Sequence, residues 1–288
     1  MFSDLDKLHK VLMEILEEFT RICDKHGLMY FFVGGTLLGA VRYKGFIPWD
    51  DDVDVAMPRN DYERFIAICQ GELSPKYFLQ CGETIQDWWK PFVRIRKNNT
   101  LLIMKNYLYK PHPHDHYGIF IDVFPLDNAD SENSLVQCIQ KFVVKKIISM
   151  IETKRGYIPK NIFKCLLLKI AHLFTYRQLQ DMIINVLTFN KNKNAKCLVN
   201  ITGRYSAQKE TVPKEVFFPP VRVEFEEKWY NAPNQWDFYL RRIYGDNYMI
   251  PPPEMERSLD YHSARVVLDT REEKVDFDAE VSGPRVGE

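Results

Sequence analysis

Apolar positions in the first quarter of the chain follow two alternating rhythms. Leu5, Leu8, Leu12, Ile15, Leu16, Phe19, Ile22 and Cys23 recur at helical spacing, with Ser3 and Asp6 as a start signal and Gly27 as the stop. Residues 28–33 (LMYFFV) are continuously apolar, which suits a buried strand. Gly34-Gly35 makes a turn, and Thr36 to Arg42 reads as a short helix. Residues 53–57 form the next strand, closed by Pro58. Asn60 and Glu63 then open a helix that runs to about Cys69. Further on, residues 91–96 alternate, with Arg94 and Arg96 on one face and Val93 and Ile95 on the other. Residues 117–124 (YGIFIDVF) are strongly β-prone, with a lone Asp122 inside. The order helix, strand, Gly-Gly, helix, strand, helix, strand, strand predicts a small α/β sheet assembly.

The pattern changes after about residue 131. Residues 134–185 are helical and basic, and residues 200–262 are rich in Pro and aromatics. From about 270 the tail is polar and aperiodic, so it is expected to be mobile. The resulting division is a core at 1–130, a helical insertion at 131–199, a C-terminal part at 200–265 packed on the core, and a tail at 270–288.

Composition narrows the function. The 288 residues carry 39 basic and 39 acidic side chains, so no net field draws the chain to nucleic acid and any anion binding must be local. Cys23, Cys69, Cys81, Cys138, Cys165 and Cys197 show no paired-ligand spacing and read as reduced thiols of a reducing cytosol. The N-terminus lacks an apolar signal core, and no uncharged run is long enough to span a bilayer. A cytoplasmic protein is expected, with contact to the cytoplasmic face of a membrane left open.

The chemistry concentrates between Gly34 and Asp54. Unpaired buried charge is costly, so Asp50-Asp51-Asp52-Val53-Asp54 is either a solvated turn or a cation site. Strand alternation places Asp52 and Asp54 on one face and Val53 and Val55 on the other, which favours cations. Two metal ions bridging attacking and leaving oxygens need a third carboxylate from a neighbouring strand. Asp122 is the candidate; its other reading is a strand-end Asp capping an amide. Asp50 and Asp51 are read as supporting residues rather than ligands. Gly34 and Gly35 allow close approach of a phosphate, with amides at the start of the Thr36 helix aimed at it. Arg42 and Lys44 are either phosphate contacts or a solvated pair, and Arg94 and Arg96 face either a diphosphate or water. Oxygen-only ligands suit magnesium or manganese.

Other groups are less decisive. His112, His114 and His116 suggest zinc, but two prolines make an extended loop without a helical pair, and a loop near substrate is preferred. His262 is read as a surface histidine. An aromatic cage for a quaternary ammonium has candidates in Trp88 and Trp89, or in Trp229, Tyr230, Trp236 and Tyr239. Lys141, Lys145, Lys146, Lys154, Arg155, Lys164 and Lys169, beside apolar residues such as Phe163 and Phe174, read either as a helical cover for the sheet or as a surface that meets anionic lipid.

Three blocks carry a family resemblance: Gly34 to Arg42 (GGTLLGAVR), Phe46 to Asp54 (FIPWDDDVD) and Met57 to Tyr62 (MPRNDY). Together they resemble the LicD family of phosphotransferases, which also contains fukutin-like ribitol-phosphate transferases. Ile121 to Asp127 (IDVFPLD) resembles the family's second block. Phe218-Pro219-Pro220, Tyr244-Gly245-Asp246 and Pro251-Pro252 resemble its C-terminal block. The likeness covers most of residues 3–265 and departs at Glu226-Glu227, where Glu-Gly is expected. It implies a nucleotidyltransferase-like α/β fold, a small mixed sheet flanked by helices. It further implies a CDP-alcohol donor, most often CDP-choline, and transfer of the alcohol phosphate to a sugar hydroxyl of a cell-surface glycan or lipid-linked glycan, with CMP leaving. Asp52, Asp54 and Asp122 would hold the ions, and Asp122 or Asp54 would take the hydroxyl proton. CDP-glycerol or CDP-ribitol as donor, nucleotidyl transfer to a small acceptor, and an inactive binding scaffold are the alternatives.

Overall fold

The computed structural model describes residues 2–104, 115–132, 135–156, 169–192, 194–257 and 263–271. His112, His114, His262, Phe163, Lys164, Cys165 and the tail beyond 271 lie outside them.

Helix α1 (Phe2–His26) buries the stripe that the spacing predicts. Leu8, Leu12, Ile15, Leu16, Phe19 and Ile22 are all fully buried. The next strand is shorter than expected. Only Phe31 and Phe32 (β1, Phe31–Phe32) pair with β2 (Asp54–Pro58); beside them Leu28, Tyr30 and Val33 are buried, and the Val33 amide donates to the Asp54 carbonyl. Helix α2 (Gly34–Tyr43) takes up both glycines, and α3 (Arg59–Glu72) starts directly from the end of β2.

Strands β3 (Tyr77–Gln80), β4 (Val93–Lys97), β5 (Leu101–Met104) and β6 (Phe120–Ala129) follow. The main sheet runs β1-β2-β6-β4-β3 and is mixed: β2 lies parallel to β6, while β4 lies antiparallel to it. β6 extends to Ala129, beyond the expected 124, because its second half pairs with β7 (Cys197–Val199), which in turn pairs with β8 (Thr211–Pro213). The segment that follows the helical middle of the sequence is thereby built into the same sheet. Arg59, the first residue of α3, donates twice to the Asp127 carboxylate of β6, at 2.7 and 2.8 Å.

Two apolar clusters result. The larger joins α1, α2, α3 and the main sheet to the C-terminal part. The smaller lies between α4 (Leu135–Lys154), α5 (Tyr176–Leu187) and β7, around Ile147, Ile151, Leu179, Ile183 and Val199. The hairpin β9 (Val221–Phe225) to β10 (Lys228–Ala232) closes over β1, where Tyr230 stacks on Phe32 at 4.8 Å. Helix α6 (Trp236–Tyr244) presents Tyr239 toward α2, and β11 (Ser263–Val267) pairs with β5. The hairpin turn consists of Glu226 and Glu227, at φ 49° and 61°. This is the point where a glycine is expected, and two glutamates adopt the left-handed turn instead. Among the described residues no helix is long and apolar enough to cross a membrane.

Candidate active site

The start of α2 and the acidic run are packed onto each other. Gly34 has φ +56°, and a Cβ there would lie 3.0 Å from Asp54 Oδ2. A Cβ on Gly35 would lie 2.6 Å from Asp50 Oδ2. Any side chain at these positions would push against a carboxylate, so the two glycines make room for acid groups. Thr36 is buried, and its Oγ1 accepts from the Asp54 amide at 2.8 Å. Asp50 is fixed from another side: His9 Nε2–H donates to its carbonyl at 2.8 Å. His9 stacks on Phe46, and burial lowers its pKa, which favours the neutral ring.

Asp50, Asp51 and Asp52 each offer a carboxylate oxygen within 4.8 Å of the others. These three residues precede β2 rather than lying within it, and Asp51 is buried. Asp54 opens β2 directly opposite Asp122 of β6. Its pKa is raised well above the ordinary value, by burial first and then by Asp52, Asp122 and Asp50, with Arg94 opposing. Carboxylates this close form a site that a cation would relieve.

Asp122 has a counter-charge already. Arg94, its partner across β4 and β6, donates to both carboxylate oxygens at 2.6 and 3.2 Å. The guanidinium also lies over Phe120, 3.7 Å from the ring centroid. Arg96 donates to Gln80 Oε1 and to the Gly118 carbonyl. Both arginines are buried, and neither lines the cavity described next. Their charge is spent inside the sheet rather than facing a diphosphate or water.

A cavity of about 760 Å³ opens over this cluster. One wall holds Gly34, Gly35, Asp50, Asp52 and Asp54; another holds Asn200, Gly203 and Arg204. Arg42 lines it too. Its Nη2 donates to the Tyr248 carbonyl, and its Nε is buried with no hydrogen-bond acceptor among the described residues. Lys44 does not line it. The chain turns left-handed at Lys44, φ 55°, and its ammonium pairs with Glu224 of the hairpin at 2.8 Å.

Two features of the cavity escape the sequence reading. Lys90 lines it, with a pKa pushed down to about 7, by burial first and then by Arg94. The only sign was a single cation inside the apolar stretch WWKPF. The second is an aromatic wall of Trp49, Tyr205, Tyr239, Tyr244 and Tyr248. Of the residues proposed for an ammonium cage, Tyr239 belongs to it. Trp88 and Trp89 line a separate cavity of about 210 Å³, Trp229 is exposed on the hairpin, Tyr230 is buried in the core, and Trp236 packs against that core.

His116 is fully used as a structural residue. Nδ1 accepts from the Gly118 amide at 3.1 Å, so Nε2–H donates to Asn98 Oδ1 at 2.8 Å. Burial and Arg96 push its pKa down to about 4.

Residues 27–139 match the family described as LicD/FKTN/FKRP, nucleotidyltransferase domain. The chain is similar to the lipopolysaccharide cholinephosphotransferase LicD of Haemophilus influenzae, 27% identical over 252 residues, which covers 86% of this chain and 92% of that one. A shorter stretch is 37% identical over 57 residues to an uncharacterized protein of Rickettsia typhi, 20% of this chain and 18% of that one. Another is 38% identical over 50 residues to an uncharacterized protein of Rickettsia prowazekii, 17% of this chain and 19% of that one.

Proposed function

We propose, from a chain whose residues 27–139 are a LicD-family nucleotidyltransferase domain, that this protein is a phosphotransferase. It moves phosphocholine from CDP-choline to a sugar hydroxyl of lipopolysaccharide, or of a related cell-surface glycan or its lipid-linked precursor. The similarity over 86% of the chain to a lipopolysaccharide cholinephosphotransferase supports the acceptor class and the transferred group. The observation that carries the reading is the meeting, in one cavity, of the Asp50, Asp52 and Asp54 carboxylates, the Arg42 guanidinium and an aromatic wall.

Each part has a matching task. The α2 amides after Val33 and the free Nε of Arg42 receive the diphosphate. Lys90 gains its proton when an anion arrives beside it, because opposite charge favours the ammonium. The aromatic wall suits a trimethylammonium group, which is attracted to ring faces and cannot use hydrogen bonds. A neutral polyol would gain less from that wall, and this favours choline over glycerol or ribitol.

The carboxylates fit a divalent cation, magnesium or manganese, since they are crowded and made of oxygen donors alone. Asp52 and Asp54, which line the cavity, would hold it; Asp122, in register beside Asp54 but paired with Arg94 and outside the lining, would be the third acid. When bound, such an ion supplies charge neutralisation at the diphosphate. In the transfer the acceptor oxygen bonds to the phosphorus that carries choline, and the bond from that phosphorus to the bridging oxygen breaks. CMP leaves with the electron pair, and the acceptor's proton goes to an acid of the cluster, Asp122 or Asp54.

The test is product analysis with purified protein, CDP-choline, a divalent ion and lipopolysaccharide. Expected products are CMP and glycan-bound phosphocholine, both lost in Asp52→Asn. Pyrophosphate with a nucleotide on the acceptor would replace this reading by nucleotidyl transfer. A thermal shift with CDP-ribitol or CDP-glycerol and none with CDP-choline would replace the donor.

A further inference from the structure

Helix α4 has an outer face that no part of the described protein covers. Leu135, Ile139 and Phe142 stand at i, i+4 and i+7 and are 77%, 61% and 61% exposed. Lys146 continues the stripe at i+11, its ammonium 5.1 Å from the Phe142 ring, and Lys145 is exposed beside it. Single exposed apolar residues are ordinary, whereas a ridge of three large ones on one helix face marks an interaction surface.

Charge selects the partner. Residues 135–174 carry eight Lys or Arg and one Glu, in a chain whose totals balance at 39 each. Three of those cations are occupied inside the protein. Lys141 donates to the Gly203 carbonyl at 2.6 Å, Lys154 to the Phe174 carbonyl at 2.5 Å, and Arg155 pairs with Asp87 and Asp115. Lys145 and Lys146 remain on the outer face, and residues 135–151 contain no Asp or Glu. An apolar ridge flanked by lysines, with no carboxylate, is the chemistry of a helix that lies in an anionic lipid interface. A second copy of this chain would bring the same positive face and repel it.

We infer that the Leu135–Ile139–Phe142 face of α4, with Lys145 and Lys146, docks on anionic lipid headgroups. The same helix is fastened to the wall of the cavity through Lys141, which donates to the carbonyl of the lining residue Gly203. Docking therefore brings one cavity wall to within about one helix width, ~10 Å, of the headgroups. A water-borne enzyme would thus meet an acceptor held at a membrane.

The experiment is co-sedimentation of the full chain with vesicles of phosphatidylcholine alone and of phosphatidylcholine with phosphatidylglycerol. Binding is expected only to the second and is weakened by high salt. Ile139→Ser/Phe142→Ser and, separately, Lys145→Glu/Lys146→Glu each weaken it about tenfold or more. Tm and turnover of CDP-choline with a detergent-dispersed acceptor stay at wild-type values in both. Absence of wild-type binding to anionic vesicles overturns the inference, as does binding that neither pair changes. So does a dimer, seen by light scattering, that Phe142→Ser disperses while vesicle binding is absent. Failure of the phosphocholine reading would leave the vesicle result untouched, so the two are separable.

Discussion

Asp54 and Asp122 stand opposite each other on adjacent parallel strands, yet a guanidinium neutralises only Asp122. The two acids therefore differ in what they cost the protein. Asp122 is half of a buried ion pair, whereas Asp54 is crowded by acids.

That difference gives a double-mutant test. Arg94→Met strands the Asp122 carboxylate and is expected to cost about 3–5 kcal/mol in urea unfolding. Arg94→Met/Asp122→Leu regains most of that stability, because an apolar pair can replace a buried ion pair. If Asp122 is the third metal-holding acid, the stable double variant transfers no phosphocholine. Full activity in it would remove Asp122 from the ion-binding set.

Asp54 predicts a pH slope that a metal cancels. Its protonated form is favoured in the folded state, so the folded chain binds more protons than the unfolded one. Stability from this group therefore falls as pH rises above the ordinary carboxylate range. Metal-free wild type should lose Tm relative to Asp54→Asn as pH rises above about 4. Adding magnesium should restore it in wild type and not in the variant. Parallel Tm curves for the two metal-free proteins would contradict this.

Arg42 predicts a binding defect. Its Nε has no acceptor among the described residues, and a phosphate oxygen would supply one. Arg42→Lys keeps the charge and loses the fork. KM for CDP-choline should rise roughly thirtyfold, the equivalent of about 2 kcal/mol, with little change in kcat. An unchanged KM would place the diphosphate elsewhere.

Glu227 predicts a gain. Its φ of 61° is strained for a side chain and natural for glycine. Glu227→Gly should stabilise the chain by about 1 kcal/mol, read from urea midpoints, and leave transfer unchanged.

What could be read from the sequence was what is local. The spacing from Gly34 to Asp54 placed two glycines and an acid cluster at one turn, and the structure packs them within a side chain's reach. A lone Asp122 in an apolar strand pointed to a special position, and its partner in β2 is Asp54. The missing parts depend on register between distant segments. Arg94 meets Asp122 only because β4 and β6 pair at that phase, and nothing in either strand encodes it. Lys44 turns away from the cavity through its own left-handed backbone, where the pattern alone left it open between a phosphate contact and a solvated pair. The aromatic wall comes from Trp49 and from tyrosines some 150 or more positions later, which only folding brings together.

The Arg59–Asp127 clamp sits at the far end of the same strand pair, where Pro58 lies beside Leu126. Sliding β2 by one position along β6 would break it and turn Asp54 to the opposite side of the sheet. The clamp thus acts as a vernier stop for the chemistry. A lesion at Arg59, outside the larger cavity, would blur the alignment of Asp54 with Asp122 well before the chain melts.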